Sequence, residues 1–148
     1  MYFVTGGAFQ GKRSWVRQLI GYQEENSNSH VWINGYVQSL PSVHEIPHKT
    51  NTIIIEGMEK LIHNELQEEK KRDHWKRKLQ PFVDWEKQNA QRNLIIIGCE
   101  IGLGVVPMNK QDRLHRDIVG WVYQDLAKQS ENVVRLWCGL PEKIKGGA

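Results

Sequence analysis

With 148 residues, 39% of them hydrophobic and 25% charged, the chain has the size and make-up of one globular domain, 1–148, built around a single core. No apolar run is long enough to cross a membrane, the opening Met-Tyr-Phe-Val lacks the features of a signal peptide, and Cys99 and Cys138 each close an apolar run as buried, reduced thiols do, which together predict a cytoplasmic protein. The net charge of +3 is mild, and Lys70, Lys71, Arg72, Lys76, Arg77 and Lys78 alternate with Glu65, Glu68, Glu69 and Asp73, a solvated helix face rather than a stripe for phosphate backbones, so no nucleic-acid partner is expected.

The first predicted element is a strand over 1–5, followed by a glycine-rich turn and a helix over 12–22. A polar loop (23–29) leads to a short strand at 30–33, then to an irregular or edge segment at 36–49 containing Pro41 and Pro47. Residues 52–55 (Thr-Ile-Ile-Ile) form a second fully buried strand. Helical spacing of Leu61, Ile62, Glu65, Leu66 and Glu69 then extends a helix from Met58 to about Gln91, which Pro81 should break or kink. A third buried strand covers 93–98, a helix covers 113–129, a fifth strand covers 132–138, and the last residues, 145–148, form a frayed tail. At least four of the six tryptophans (Trp15, Trp32, Trp75, Trp85, Trp121 and Trp137) are expected to fill core or interface.

Gly6-Gly7-Ala8-Phe9-Gln10-Gly11-Lys12 follows the first strand and opens the first helix, the context in which a Gly-four-Gly-Lys run cradles phosphate. Glycines let backbone N–H groups face the anion, the helix start adds its positive end, and Lys12 reaches the outer phosphates. The position after the lysine, ordinarily a Mg²⁺-binding hydroxyl, is Arg13, with Ser14 one residue further on. Arg13 would either neutralise phosphate charge itself or point to solvent. Glu56, at the end of the 52–55 strand, stands where such enzymes hold Mg²⁺ or its water, or else caps the next helix. Buried strands alternating with helices behind this loop predict an α/β fold of the P-loop NTPase kind: a mostly parallel sheet of about five or more strands, with helices on both faces.

A second run, Glu100-Ile101-Gly102-Leu103-Gly104-Val105-Val106-Pro107, follows the 93–98 strand, and Arg113, Arg116, Asp117, Gly120 and Gln124 come next. Ligands of open α/β sheets bind at that edge. Gly102 and Gly104 would admit a bulky ligand close to the backbone, and Arg113 and Arg116 would meet phosphate; a plain glycine turn before an amphipathic helix explains the same residues equally well.

This run resembles the Glu-Val-Gly-x-Gly-Ile-Val-Pro and Arg-x-Phe-Arg-Asp-x-x-Gly-x-x-Asn-Gln-x-Leu-Ala signature of the bifunctional adenosylcobinamide kinases/adenosylcobinamide-phosphate guanylyltransferases. Val4-Thr5-Gly6-Gly7-Ala8, Gly11-Lys12 and, near the end, Gly139-Leu140-Pro141 and Lys143 are similar to the family's first strand, phosphate loop and closing strand, so the likeness covers both ends of the chain. The resemblance implies phosphoryl transfer from ATP or GTP, with Mg²⁺, to the aminopropanol hydroxyl of a cobinamide in cobalamin biosynthesis or salvage. It implies that Lys12 stabilises the transferring group, Glu56 places the metal, and Glu100 lies near the substrate. Gly102, Gly104, Pro107, Arg113, Arg116 and Asp117 would line the corrinoid side, and a homotrimer is implied as well. The family's guanylyl step uses a histidine in a His-His-x-x-x-Arg-Pro-like segment after the second strand. Here only the isolated His44 and His48 occur, without Arg-Pro, and a nucleophilic histidine needs support on its second ring nitrogen. Arg13, Cys99, His115 and Tyr123 also replace family residues. The expectation is a diverged, kinase-like member that has lost guanylyl transfer, the alternatives being the full bifunctional enzyme and a nucleotide- or corrinoid-binding protein without turnover.

Overall fold

Isoleucine runs that are apolar on both faces can be buried only inside a sheet covered from both sides, and that is where they lie. In a computed structural model describing residues 1–21, 29–102 and 106–147, the strands are β1 (Tyr2–Gly6), β2 (His30–Asn34), β3 (Thr52–Glu56), β4 (Asn93–Cys99), β5 (Asn132–Trp137) and β6 (Leu140–Lys145). Their spatial order is β2-β3-β4-β1-β5-β6. The first five are mutually parallel, and β6 runs antiparallel along β5. The helices are α1 (Lys12–Leu19), α2 (Met58–Asn64), α3 (Arg72–Lys87) and α4 (Lys110–Gln129).

The two-residue period of the strands divides the core in two. Phe3, Ile53, Ile55, Leu94, Ile96 and Val133 face α2, α3 and α4, joining Leu61, Trp75, Phe82, Ile118 and Val122. Val4, Ile54, Ile95, Ile97, Val134 and Leu136 face the other way, against Val16 of α1. The parallel register sets the carboxyl ends of β1, β3 and β4 side by side, pairing Gly6 with Cys99 and Glu56 with Ile97. The site is built on that edge.

Four expectations need correction. The tail is not frayed from Lys145: the sixth strand, β6, within the five or more expected, takes that residue in, and its ammonium donates to the carbonyls of Ala127 (3.1 Å) and Lys128 (2.9 Å) at the end of α4. The long middle helix breaks at residues 65–71 and is not broken at Pro81, which lies within α3. An unbroken helix of some thirty residues would be ~50 Å long at ~1.5 Å per residue, far longer than the strands it covers. The chain therefore turns at Glu65, whose carboxylate takes the ammonium of Lys78 on α3. Pro81 is exposed on α3, as is Arg77 four residues before it, whose carbonyl a proline at this position leaves without its helical partner. Cys138 is exposed, in a left-handed turn with φ 51°, rather than buried. Finally, α4 begins three residues early, at Lys110, because the Asn109 side chain caps it by accepting from the N–H groups of Gln111 (2.7 Å) and Asp112 (3.3 Å). Trp75 and Trp85 are buried and Trp15, Trp32 and Trp121 pack against the core, while Trp137 is exposed.

Candidate functional site

The loop after β1 has the backbone its glycines were expected to allow. Gly6 has φ +142°, and a Cβ there would lie 2.5 Å from the carbonyl oxygen of Leu136, so no side chain fits. Gly11, at φ +88°, caps α1 and passes within 3.2 Å (from a would-be Cβ) of the Cα of Gly139. The β5–β6 turn clamps the loop from outside: the Cys138 N–H donates to the Gln10 Oε1 (2.5 Å) and the Gly139 N–H to the Gln10 carbonyl (3.0 Å). Phe9 holds the loop tip at φ 59° with its ring wholly exposed. The Lys12 ammonium folds back onto its own loop, donating to the carbonyls of Gly6 (3.2 Å) and Gly7 (2.6 Å).

Residues 8–14 form one wall of a cleft of ≈ 620 Å³ whose other wall is Tyr36, Glu56, Glu59 and Cys99. Lys12, Arg13 and Ser14 thus share one cavity with Glu56. Arg13, though its side chain is 45% exposed, is bonded to Glu56. Its Nε lies 3.0 Å from both carboxylate oxygens of Glu56 and its Nη2 lies 2.7 Å from Oε1, while Trp32 Nε1 donates to Oε1 at 3.0 Å. Bonding to this carboxylate raises the Arg13 pKa further, against the opposing effect of burial.

Glu59, which the sequence reading passed over, is the second carboxylate of the cleft and is buried. It accepts the Tyr36 hydroxyl proton (2.6 Å) and the Cys99 N–H (2.9 Å). Its one signal was the three-residue step from Glu56, which sets it in the first turn of α2 beside the strand end. Burial, reinforced by the bond to Glu59, pushes the Tyr36 phenol well above its usual range. Burial likewise raises the Cys99 thiol, with nearby Lys12 opposing and Glu59 and Glu100 reinforcing, so the thiol stays protonated at neutral pH.

The donor set does not suit a protein-held Mg²⁺. Position 13 offers a guanidinium where a hydroxyl would coordinate, both oxygens of Glu56 are taken by Arg13, and both oxygens of Glu59 accept other protons. Among the described residues no group of three or more His, Cys, Asp or Glu side chains could hold a metal ion. What the arrangement can do is receive an anion on Lys12, Arg13 and the free N–H groups opening α1.

The second motif lies along the same edge, outside the cleft lining. The Glu100 N–H joins β4 to β1 through the Gly6 carbonyl (2.9 Å), and its carboxylate receives a forked pair of bonds from Arg135 of β5 (2.6 and 3.1 Å), a partner missed in the sequence. Gly102 has φ +74° and packs so close to Arg116 that a Cβ would lie 2.6 Å from its Cγ. The two arginines expected to meet phosphate are both engaged within the chain. Arg113 donates to the carbonyls of Pro107 (3.0 Å) and Met108 (2.6 Å), and Arg116 to Asp117 (3.1 and 3.2 Å). Gly104 lies outside the described residues. Where α4 passes the cleft, the Tyr123 hydroxyl donates to the Cys99 carbonyl (2.7 Å) and His115 Nε2 lies 2.8 Å from the Glu59 carbonyl. Burial lowers the His115 pKa, so at neutral pH the ring is uncharged and Nε2–H donates. His44 and His48 are exposed in the segment between β2 and β3.

The model of the family described as cobinamide kinase/cobinamide phosphate guanyltransferase matches residues 2–144. The chain is 40% identical over 53 residues to the bifunctional adenosylcobalamin biosynthesis protein CobP of Pseudomonas aeruginosa, covering 36% of this chain and 31% of that protein. It is 36% identical over 58 residues to the bifunctional adenosylcobalamin biosynthesis protein CobU of Salmonella typhimurium, covering 39% and 32%. Each alignment therefore takes in about a third of the relative's length.

Proposed function

The chain belongs to the cobinamide kinase/cobinamide phosphate guanyltransferase family, and from that premise we propose that it phosphorylates the aminopropanol hydroxyl of adenosylcobinamide with ATP or GTP and does not carry out guanylyl transfer. The observation that supports this reading best is the Gly6–Lys12 loop between β1 and α1, with Lys12 and Arg13 at the mouth of a cleft that also holds two carboxylates. In the reaction the acceptor hydroxyl oxygen forms a bond to the γ-phosphorus and gives up its proton to solvent, the bond from that phosphorus to the bridging oxygen breaks, and the nucleoside diphosphate leaves. Lys12 turns from its loop carbonyls to the transferring phosphoryl group, the backbone of residues 6–11 cradles the neighbouring phosphates, and the cleft excludes water. Arg13 and Ser14 complete the nucleotide side. Glu100 orients the acceptor, with Gly102, Gly104, Pro107, Arg113, Arg116 and Asp117 on the corrinoid side. Glu56, expected as a metal ligand, acts here as the partner of Arg13, which occupies both its oxygens. A homotrimer, as the family resemblance suggests, completes the proposal.

Incubating the protein with adenosylcobinamide and γ-labelled ATP or GTP is expected to give a labelled corrinoid phosphate; no labelled corrinoid from either nucleotide would sink the reading. With α-labelled GTP, no acid-labile protein adduct is expected. An adduct abolished by substituting His44 or His48 would establish the bifunctional enzyme instead. The Arg13–Glu56 pair favours one second reading, a protein that binds nucleotide without turnover. Nucleotide binding with no transfer at any metal concentration would support it.

A further inference from the structure

We infer that Arg13 and Glu56 form an anion-operated gate: Arg13 is the loop's own counter-ion, parked on Glu56 in the free protein and transferred to the nucleotide's phosphates on binding, so that nucleotide is held without a divalent cation. The inference rests on the nucleotide-binding reading above and concerns what neutralises the phosphates there.

The two partners differ in freedom. The Glu56 side chain is 9% exposed, ends the interior strand β3 and is pinned by the Trp32 indole N–H, whereas Arg13 is 45% exposed on the first turn of α1. The arginine is therefore the member able to move. Its fork already grips a planar pair of oxygens, and a guanidinium that fits a carboxylate in this way fits two phosphate oxygens equally well. Lys12 is engaged in the same manner, on carbonyls of its own loop. Both cations of the cleft are thus satisfied internally, and incoming phosphate must compete for each. When Arg13 leaves, the Trp32 N–H still holds Glu56 in place, and the carboxylate recaptures the guanidinium as the anion departs. A hydroxyl at position 13 would need a metal to present positive charge to the phosphates. An arginine presents it directly, which accounts for the poor fit of the cleft to a protein-held Mg²⁺.

The reverse view, a fixed pin joining α1 to β3, predicts the opposite behaviour, and calorimetric titration separates the two. The probes are GTP, ATP and inorganic triphosphate, each in EDTA and in Mg²⁺, with the wild type, Arg13→Ser, Glu56→Gln and the double variant. The gate predicts that wild-type binding changes less than about threefold between EDTA and Mg²⁺. Glu56→Gln should bind on the order of tenfold more tightly in EDTA, because the competing charge is gone while the Trp32 bond is kept. Arg13→Ser should lose on the order of tenfold in EDTA and recover with Mg²⁺. In the Arg13→Ser background, Glu56→Gln should bring no gain, which distinguishes competition for Arg13 from simple repulsion of phosphate. Wild-type binding that requires Mg²⁺ overturns the gate, as does weaker binding by a Glu56→Gln protein that melts like wild type, or an equal gain in both backgrounds. Those results would leave phosphoryl transfer standing; absence of binding under every condition would instead remove the nucleotide reading itself.

Discussion

Replacing Gly98 by alanine tests whether the end of β4 is held to α4 as described. Gly98 is buried, and a Cβ there would lie 2.3 Å from the Tyr123 hydroxyl oxygen, 2.5 Å from its Cζ and 2.9 Å from its Cε1, where ordinary contact is 3.4–4 Å. The ring must therefore retreat by about an ångström. It has no room to do so, for it packs edge-on to Phe3 with centroids 5.0 Å apart and donates to the Cys99 carbonyl at 2.7 Å. Overpacking of this kind costs ~1–3 kcal/mol, and losing the hydroxyl's bond adds ~0.5–1.5 kcal/mol. Alanine regains only ~0.5–1 kcal/mol of the chain entropy that glycine gives up, too little to reverse the sign. The net expectation is about 0.5–4 kcal/mol of destabilisation, read as a lower urea midpoint at unchanged slope, with Tm falling by ~2–4 °C per kcal/mol in a chain of this size. The double variant Gly98→Ala/Tyr123→Phe should recover part of the loss, since it removes the nearest atom and leaves the ring. A Gly98→Ala protein within ~0.5 kcal/mol of wild type would refute the packing at the end of β4.

Three further outcomes follow from the same geometry. Lys12→Ala should lower phosphoryl transfer on the order of 10²-fold or more while leaving Tm near wild type, because the bonds of its ammonium run only to carbonyls of its own loop; matched activity and melting measurements decide it, and unchanged turnover would remove Lys12 from the chemistry. Stability should fall as pH drops below about 6.5, the ordinary histidine value, because burial lowers the pKa of His115 and of His74 and the unfolded chain takes up protons first. Glu65 and Asp125, whose pKa values are lowered, lose their contribution only at more acidic pH, so urea midpoints flat from pH 7.5 to 5.5 would contradict the histidine environments. Phe9→Gly should leave stability unchanged or raise it by up to ~1 kcal/mol, since relief of the left-handed backbone outweighs the entropy glycine adds to the unfolded chain; a clear fall in Tm would show that the exposed ring has a structural role.

The strands were legible because burial on both faces demands uninterrupted β-branched runs, and Ile53–Ile55 and Leu94–Ile97 could be little else. β6 was visible only through the likeness of Gly139-Leu140-Pro141 and Lys143 to a closing strand, for the opposite reason: Leu-Pro-Glu-Lys-Ile-Lys is exposed along its whole length and carries no burial pattern, being held by pairing with β5. The middle helix was misjudged because Pro81 is a strong local signal, whereas the actual break is set by helix length against sheet length and by the pull of Lys78 on Glu65, neither of which is local. In the site, glycine positions could be read directly, since φ beyond +80° at Gly6 and Gly11 leaves other residues little room.

Partnerships were not legible in the same way. Arg13 and Glu56 are 43 residues apart, Glu100 and Arg135 are 35 apart, and Tyr36 and Glu59 are 23 apart. Each pair is made only when the parallel order β2-β3-β4-β1-β5 sets five strand ends in a row. Sequence supplied Lys12, Arg13, Glu56 and Glu100 but not Glu59 or Arg135, and the fold decided which of these charges cancel. The distinction matters for function. A lysine and an arginine beside two glutamates read as a loaded metal and phosphate site in one dimension, but in three they are a site already at electrostatic balance, and an incoming phosphate has to unbalance it before anything can be transferred.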